Sequence, residues 1–205
     1  MKICAIVGAG DFFPERFDRN KYDFIIAADG GAQSLDKIGI TPNLVVGDFD
    51  SGYIPDGVEH IRYKVEKDET DTHLAFAEGV CRGYDIFYVF GGVGGREDHT
   101  FANYCLLYYA KKQKKQMYLM SKNSYSFIIE DEEIALQGMC GGTFSVFSFG
   151  GDASGVCIKD AKYEAENINL KSDFPLGVSN SFTEKGKARI SAKRGALLIM
   201  SEYEK

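Results

Sequence analysis

Paired cysteines are missing from this sequence: Cys4, Cys81, Cys105, Cys140 and Cys157 are scattered, odd in number and never spaced C-x-x-C. That pattern excludes a disulfide framework and a spacing-defined zinc site, and the five read as buried thiols in a reducing compartment. Long hydrophobic runs are missing too. The apolar start at 3–7 is broken by Gly8, Gly10 and Asp11, so it is too short for a signal-peptide core and far too short to span a bilayer. A cytoplasmic location with no membrane partner is the expectation. The third absence is positive charge: with 24 basic and 30 acidic residues the net charge is -6, which argues against coating nucleic acid, where Lys and Arg must displace counterions. The dense basic run at 111–115 reads as a solvated helix end that complements the helix dipole.

What remains is an ordinary folding composition, 44% apolar and 26% charged over 205 residues, enough for one large domain or two small ones. Strand-length apolar runs at 3–7, 24–28, 44–46, 86–90 and 117–120 are mostly β-branched or aromatic, as in strands buried on both faces. Between them, 31–38, 71–82 and 98–112 carry helical spacing, with Leu74, Ala77 and Cys81 on one face of the second. Strand and helix in alternation predict an α/β domain with a mostly parallel, doubly wound sheet over 1–122. After Ser121 the pattern changes. Short runs at 126–129, 143–147, 155–159 and 197–200, separated by turn residues and without helical period, predict an all-β, sandwich-like domain over 123–205.

Chemistry-bearing residues gather at the predicted strand-to-helix junctions. Gly8-Ala9-Gly10, with Asp29 about twenty residues on, imitates a dinucleotide fingerprint but has Phe13 in place of the third glycine. Its other reading is a tight turn. Asp29-Gly30-Gly31 follows the second strand, at the strand end where open α/β sheets bind ligands, and its glycines permit close approach to the backbone. Asp48 and Asp50 flank Phe49 directly after a buried strand. Two such carboxylates repel unless a cation or a hydrogen-bond network compensates, and a hard ion such as Mg²⁺ fits. Lys67-Asp68-Glu69-Thr70-Asp71 opens the second helix, where Thr70 or Asp68 can cap and the acidic residues suit the dipole. In Gly91-Gly92-Val93-Gly94-Gly95-Arg96-Glu97-Asp98-His99, four glycines free backbone N–H groups to cradle phosphate and Arg96 can fork onto its oxygens. The G-K-[ST] of a P-loop is absent. His99 keeps an open role, and His60 and His73 receive none. Asp29, Asp48, Asp50, Asp68, Asp71 and Asp98 all fall on one predicted edge of one sheet.

A-D-G-G-A at 28–32, G-D-F-D-S at 47–51, K-D-E-T-D at 67–71, G-G-V-G-G-R-E-D-H at 91–99 and G-V-S-N-S-F at 177–182 resemble, in order and spacing, the motif series of thiamine pyrophosphokinases. The resemblance covers nearly the whole chain. It implies a homodimeric enzyme with an α/β ATP- and metal-binding catalytic domain and a β-sandwich domain for thiamine binding and dimerisation. Such an enzyme transfers pyrophosphate from ATP to the thiamine hydroxyl, leaving AMP. By this resemblance Asp48, Asp50 and Asp71 hold Mg²⁺ and, with Arg96, carry catalysis. Asp29, Gly30, Lys67, Asp68, Thr70, Gly92, Gly94, Gly95, Asp98 and His99 serve ATP, and Ser179, Asn180 and Phe182 serve thiamine. The chain has no Trp, which some members place over thiamine, so Phe182 or Tyr203 is the expected substitute on the cationic ligand. Residues 44–51 also imitate the first motif of haloacid-dehalogenase-like phosphatases, where the first Asp is a nucleophile. That reading, like a non-catalytic nucleotide- or thiamine-binding module, leaves part of the pattern unexplained, and AMP release separates the three.

Overall fold

The computed structural model of the chain describes residues 1–49, 53–64, 66 and 68–203. They form two compact units, Met1–Lys122 and Asn123–Lys205. In the first, β1 (Ile3–Val7), β2 (Phe24–Ala28), β3 (Leu44–Gly47), β4 (Glu59–Arg62), β5 (Ile86–Phe90) and β6 (Gln116–Met120) lie in the order β4-β3-β2-β1-β5-β6. Each neighbouring pair in that row is parallel. The connections carry α1 (Gly31–Asp36), α2 (Asp71–Cys81) and α3 (Glu97–Lys112). A parallel arrangement puts every strand's C-terminal end on one edge, and the order reverses between β1 and β5. That reversal is the crevice where open α/β sheets take ligands.

Burial explains which strands the sequence announces. Cys4 to Val7, Ile25 to Ala27 and Leu44 to Val46 have no exposed surface, so their apolar runs are uninterrupted. The edge strand β4, Glu-His-Ile-Arg, is mostly exposed. It carries no such run, and the sequence reading passes over it. The buried face of α2 is a correction: it is Ala75, Phe76 and Gly79, while Ala77 and Cys81 are exposed. The reason lies in an aromatic pair. Phe76 packs 4.8 Å from Phe87, and Gly79 lets the Phe87 ring come so close that a methyl group there would lie 2.5 Å from it. The expectation of five buried thiols fails as well. Cys4 is buried, and burial pushes its thiol up to about 12. Cys81, Cys105 and Cys140 are exposed and Cys157 is half-buried.

The second unit is β-rich. It contains β7 (Ser124–Glu130), β8 (Glu133–Gln137), β9 (Thr143–Lys159), β10 (Ala165–Leu170), β11 (Asn180–Ser181), β12 (Lys187–Ser191) and β13 (Arg194–Glu202). Pairing among these strands is antiparallel. The two apolar runs at 143–147 and 155–159 belong to one strand, the 17-residue β9. Its first half pairs with β13 and its second with β10 and β12. Between them Gly150 takes φ 72° and Gly151 φ 148°, conformations that bend a strand without ending it. β8, β10 and β12 each alternate buried and exposed positions too briefly, or with too many polar residues, to stand out in the sequence.

The packing of α1 on β1 gives a stability test. A Cβ at Gly31 would sit 1.8 Å from the Val7 carbonyl oxygen, and a backbone neighbour cannot step aside. Gly31→Ala is expected to cost about 3 kcal/mol, the upper part of the overpacking range, read as a lowered urea midpoint. Gln33→Ala, on the exposed side of the same helix, should leave that midpoint in place, and equal midpoints for the two variants would contradict the account.

Candidate active site

The edge of the first unit is built around a contact between two loops. After β1, the Gly8 and Gly10 N–H groups donate to the Phe90 and Gly91 carbonyls at 2.8 Å each, and Asp11 N–H donates to Val93 O at 2.8 Å. This leaves no room for side chains: a Cβ at Gly8 would meet Gly91 O at 2.8 Å, and one at Gly91, where φ is 60°, would meet Gly8 O at 2.4 Å. Gly8-x-Gly10 is thus the seat of the 91–95 loop. From the other side Asn103 of α3, 7% exposed, donates its Nδ2 to the Gly92 carbonyl at 2.7 Å. Asp11 reaches the same loop, since a Cβ at Gly94 would lie 2.1 Å from its carboxylate. Sequence reasoning passed over Asn103 and Asp11. Asn103 is a polar residue on the buried face of a helix, and that was the available signal.

Two more segments reach the same edge. Asp29 N–H extends the ladder to Val46 O at 2.8 Å with Asp29 in a left-handed conformation, φ 47°. Asp is among the few residues that accept it. Gly30 follows as the N-cap of α1. Phe49 also has positive φ, 59°, which is unusual for a bulky residue. Its side chain is 6% exposed in a cluster with Val7, Val45 and Phe90, and the Arg62 guanidinium lies 5.4 Å from the ring centre. The middle residue of Asp-Phe-Asp is therefore an anchor in the core, while Asp48 is half-buried at the strand end. Asp50 and Lys67 lie outside the described residues.

At the start of α2, Thr70 is the N-cap and its Oγ1 accepts from His73 N–H at 3.2 Å, so Thr70, rather than Asp68, caps. Asp71 begins the helix half-buried and Asp68 is exposed. Arg96 is the N-cap residue of α3. Its guanidinium forks onto Asp98, with Nε to Oδ1 at 3.1 Å and an Nη to Oδ2 at 2.6 Å. His99 N–H also donates to Asp98 Oδ1 at 2.9 Å. These bonds hold the Asp98 carboxyl down to about 2, the Arg96 contact contributing most. Arg96, Asp98 and His99 are all exposed, as are Gly94 and Gly95, whereas Gly92 is buried. Among the described residues no three His, Cys, Asp or Glu side chains converge closely enough to hold a metal ion.

In the second unit Ser179 is exposed with φ 58°, and its N–H donates to Ser145 Oγ at 3.1 Å. Asn180 is buried. Its Oδ1 accepts from the N–H groups of Tyr163 at 3.0 Å and Ser181 at 2.8 Å, and its Nδ2 donates to Tyr163 O at 2.7 Å. The carboxamide thus clamps two chain segments together. Phe182 calls for a correction to its expected stacking role: at 3% exposure its ring packs 4.9 Å from Phe144 and closes over Gly138, so it presents no face to a ligand. A cavity of about 430 Å³ beside this turn is lined by Tyr163, Glu166, Ile168, Leu176, Val178 and Asn180.

An exposed glycine loop at the switch point of a parallel sheet, carboxylates along neighbouring strand ends and a forked arginine at a helix start suit phosphoryl or pyrophosphoryl transfer. The comparisons with known proteins narrow that class. The model of the thiamin pyrophosphokinase catalytic domain matches residues 19–119, and that of the thiamin pyrophosphokinase vitamin B1 binding domain matches residues 128–197. The thiamine pyrophosphokinase of Bacillus subtilis (strain 168) is 27% identical over 211 residues, covering 98% of each chain. Crystal structures of thiamine pyrophosphokinase from Bacillus subtilis (TM-score 0.87, 24% identity, all of both chains) and from Candida albicans (0.82, 17%, 99% of this chain and 89% of that one) share the fold. The chain belongs to the thiamine pyrophosphokinase family. It is an enzyme, a transferase of thiamine diphosphate formation.

The Arg96–Asp98 fork predicts a titration. A carboxylate whose folded value is depressed keeps its ion pair at all pH above the ordinary value and loses it as pH falls through the depressed one. The Asp98 carboxyl carbon should titrate by NMR with a midpoint at about 2 and move towards the ordinary 3.8 in Arg96→Gln. A midpoint that Arg96→Gln leaves in place would assign the depression to something other than the fork.

Proposed function

We propose that the chain transfers the terminal pyrophosphate of ATP to the hydroxyl of thiamine, releasing thiamine diphosphate and AMP. The observation that carries this is the tandem match of the two thiamin pyrophosphokinase models, at 19–119 and 128–197, onto an α/β unit and a β-rich unit. In this reading the first unit is a doubly wound ATP- and metal-binding domain and the second a sandwich-like domain for thiamine binding and dimerisation. The thiamine oxygen attacks the β-phosphorus, a new O–P bond forms as the bridge to the α-phosphorus breaks, AMP leaves with that bridging oxygen, and the hydroxyl proton passes to the carboxylate edge. A general base is not essential to this scheme; where one acts, it is a carboxylate of the cluster such as Asp71.

Asp48, Asp50 and Asp71 would hold Mg²⁺. Carboxylate oxygens are the hard donors this ion takes, and Asp48 and Asp71 stand at a strand end and a helix start. When bound, Mg²⁺ neutralises charge on the transferring group. The exposed backbone of Gly94 and Gly95 meets the phosphates, with Gly92 fixing the loop from within. Asp29, Gly30, Lys67, Asp68, Thr70, Asp98 and His99 form the rest of the ATP surface. Arg96 exchanges its fork from Asp98 to phosphate oxygens, which have the same planar two-acceptor geometry. Ser179 contacts thiamine, and Asn180 acts by shaping the turn that presents it. We read the active species as a homodimer, which sedimentation equilibrium would show as twice the 22.7 kDa chain mass, and the location as cytoplasmic, with five free thiols fitting a reducing compartment.

Incubation with ATP, Mg²⁺ and thiamine should yield AMP and thiamine diphosphate in equal amounts. Orthophosphate without AMP would instead indicate a phosphatase. Asp71→Asn is expected to lower turnover by at least ~10²-fold, the scale of losing preorganised charge at the transferring group, with the circular dichroism spectrum unchanged. Arg96→Lys keeps the charge but loses the fork and should lower kcat/KM for ATP. An unchanged kcat/KM would reduce Arg96 to a surface partner of Asp98.

A further inference from the structure

We propose that Ser145 and Asp152, two side chains of β9, are positioning residues that hold Ser179 in the conformation in which it meets its substrate; this rests on the reading of Ser179 as a thiamine contact. Ser179 follows segment 171–178, which leads from β10 towards β11. β11 pairs with β9, Asn180 opposite Phe144 and Ser181 opposite Thr143. Carried backwards, that register places Leu176 opposite Ser148 and Ser172 opposite Asp152, so the segment follows the edge of β9 as a strand would. It does not zip onto that edge. Among the described residues one backbone bond joins the segment to β9, from Val146 N–H to Gly177 O at 2.9 Å, one residue off the register. Pro175 has no N–H for a ladder, and a gap of about 90 Å³ separates Val146 and Ser148 from Phe174 and Leu176. The Ser148 hydroxyl is buried there without a partner among the described residues.

Side chains do the fastening that a ladder would otherwise do. At the start of the segment Asp152 Oδ1 accepts from Ser172 N–H at 2.9 Å and from Ser172 Oγ at 3.2 Å, and Oδ2 accepts from Lys171 Nζ at 2.6 Å. At its end Ser145 Oγ accepts from Ser179 N–H at 3.1 Å, next to the close approach at Gly177, where a Cβ would lie 1.9 Å from Val146 O. Burial does not replace these bonds, since Phe174, Leu176 and Val178 are 62%, 57% and 58% exposed. Ser179 depends on them because its φ of 58° is a left-handed conformation, which a residue other than glycine keeps only where its surroundings over-determine it. A segment fixed at both ends has fewer shapes open to it than one fixed at a single end. Ser145 thus acts on Ser179 directly, and Asp152 acts through the segment. A substrate that needs one conformation binds more weakly in proportion as that conformation is depopulated.

Steady-state kinetics with AMP release as the signal test the assignment. Ser145→Ala and Asp152→Ala should each raise KM for thiamine ~3- to 10-fold, the scale of one hydrogen bond, with kcat, KM for ATP and the melting temperature nearly unchanged. Ser145→Thr keeps the acceptor oxygen and Asp152→Asn keeps one for Ser172, so both should restore KM. Asp173→Ala takes the same charge from an exposed position next to Ser172 without touching the clasp, and should leave KM where it was. Hydrogen exchange of the ligand-free protein, followed by mass spectrometry, gives a readout independent of activity. In the two Ala variants the peptide over 172–181 should exchange faster, while one over β12 keeps its rate. An unmoved KM for thiamine in Ser145→Ala or Asp152→Ala, in a protein that makes thiamine diphosphate, overturns the proposal and leaves the activity standing. A KM for ATP or a melting temperature that shifts in step makes the two residues merely structural, which also overturns it. Asp173→Ala matching Asp152→Ala assigns the effect to charge alone, against the clasp. A protein that makes no thiamine diphosphate fails the functional reading, while the exchange rates still judge whether the two acceptors hold the segment.

Discussion

The candidate site depends on one backbone contact, the closure of the turn after β1 on the loop after β5. Three hydrogen bonds from Gly8, Gly10 and Asp11 to Phe90, Gly91 and Val93, each 2.8 Å, fasten two loops that are separated by about eighty residues in sequence but follow adjacent strands. At Gly8, Gly10 and Gly91 the two backbones lie too close for a Cβ, which is why glycines stand on both sides. With the Asn103 bond to the Gly92 carbonyl on the other flank, the loop is held at both edges, and its exposed tip at Gly94 and Gly95 is the part left to meet a ligand. A donor array that is fixed before the ligand arrives needs no reorganisation during reaction.

The same edge carries two departures from ordinary backbone geometry, at Asp29 and Phe49. Left-handed conformations outside glycine persist only where the surroundings over-determine them, and they gather at functional sites. At Phe49 the compensation is visible: burying the aromatic ring among Val7, Val45 and Phe90 holds the chain in a conformation it would not otherwise keep. Core burial thereby sets where the preceding carboxylate, Asp48, leaves the sheet. The Asp-Phe-Asp motif joins an apolar anchor to acidic flanks, so substitutions at Phe49 act on the site through position.

The first unit was legible because its central strands are buried on both faces. Strands of that kind leave continuous apolar runs, so β1, β2, β3, β5 and β6 stood where the runs predicted. β4 did not, since an exposed edge strand needs no such run. In the second unit β8, β10 and β12 are largely exposed, and a 17-residue strand bent at glycines reads as two short ones. The acidic junctions of the site were visible because loop residues of one type recurred at strand ends. What holds them was not visible. The Asn103 bond, the seat formed by Gly8 and Gly10, and the bonds of the Asn180 carboxamide to Tyr163 join residues apart in sequence. Phe182 misled for the opposite reason, because an aromatic next to a polar motif has the same letters whether it faces a ligand or the core.

Arg96 shows how such a site stays ready without being locked. A guanidinium left alone at a helix N-terminus faces the positive end of the helix dipole, which disfavours a cation there. Asp98, two residues on in the first turn, is favoured by that dipole and by the His99 N–H, and it holds the fork in a planar, two-pronged arrangement. Both side chains are largely exposed, 70% and 65%, so water screens the pair and the fork can be given up with little penalty. A phosphate group offers the same two-acceptor geometry with more charge. The carboxylate therefore keeps the arginine in the shape that the proposed exchange to phosphate requires, and the helix dipole that disfavours a bare arginine favours an anion beside it.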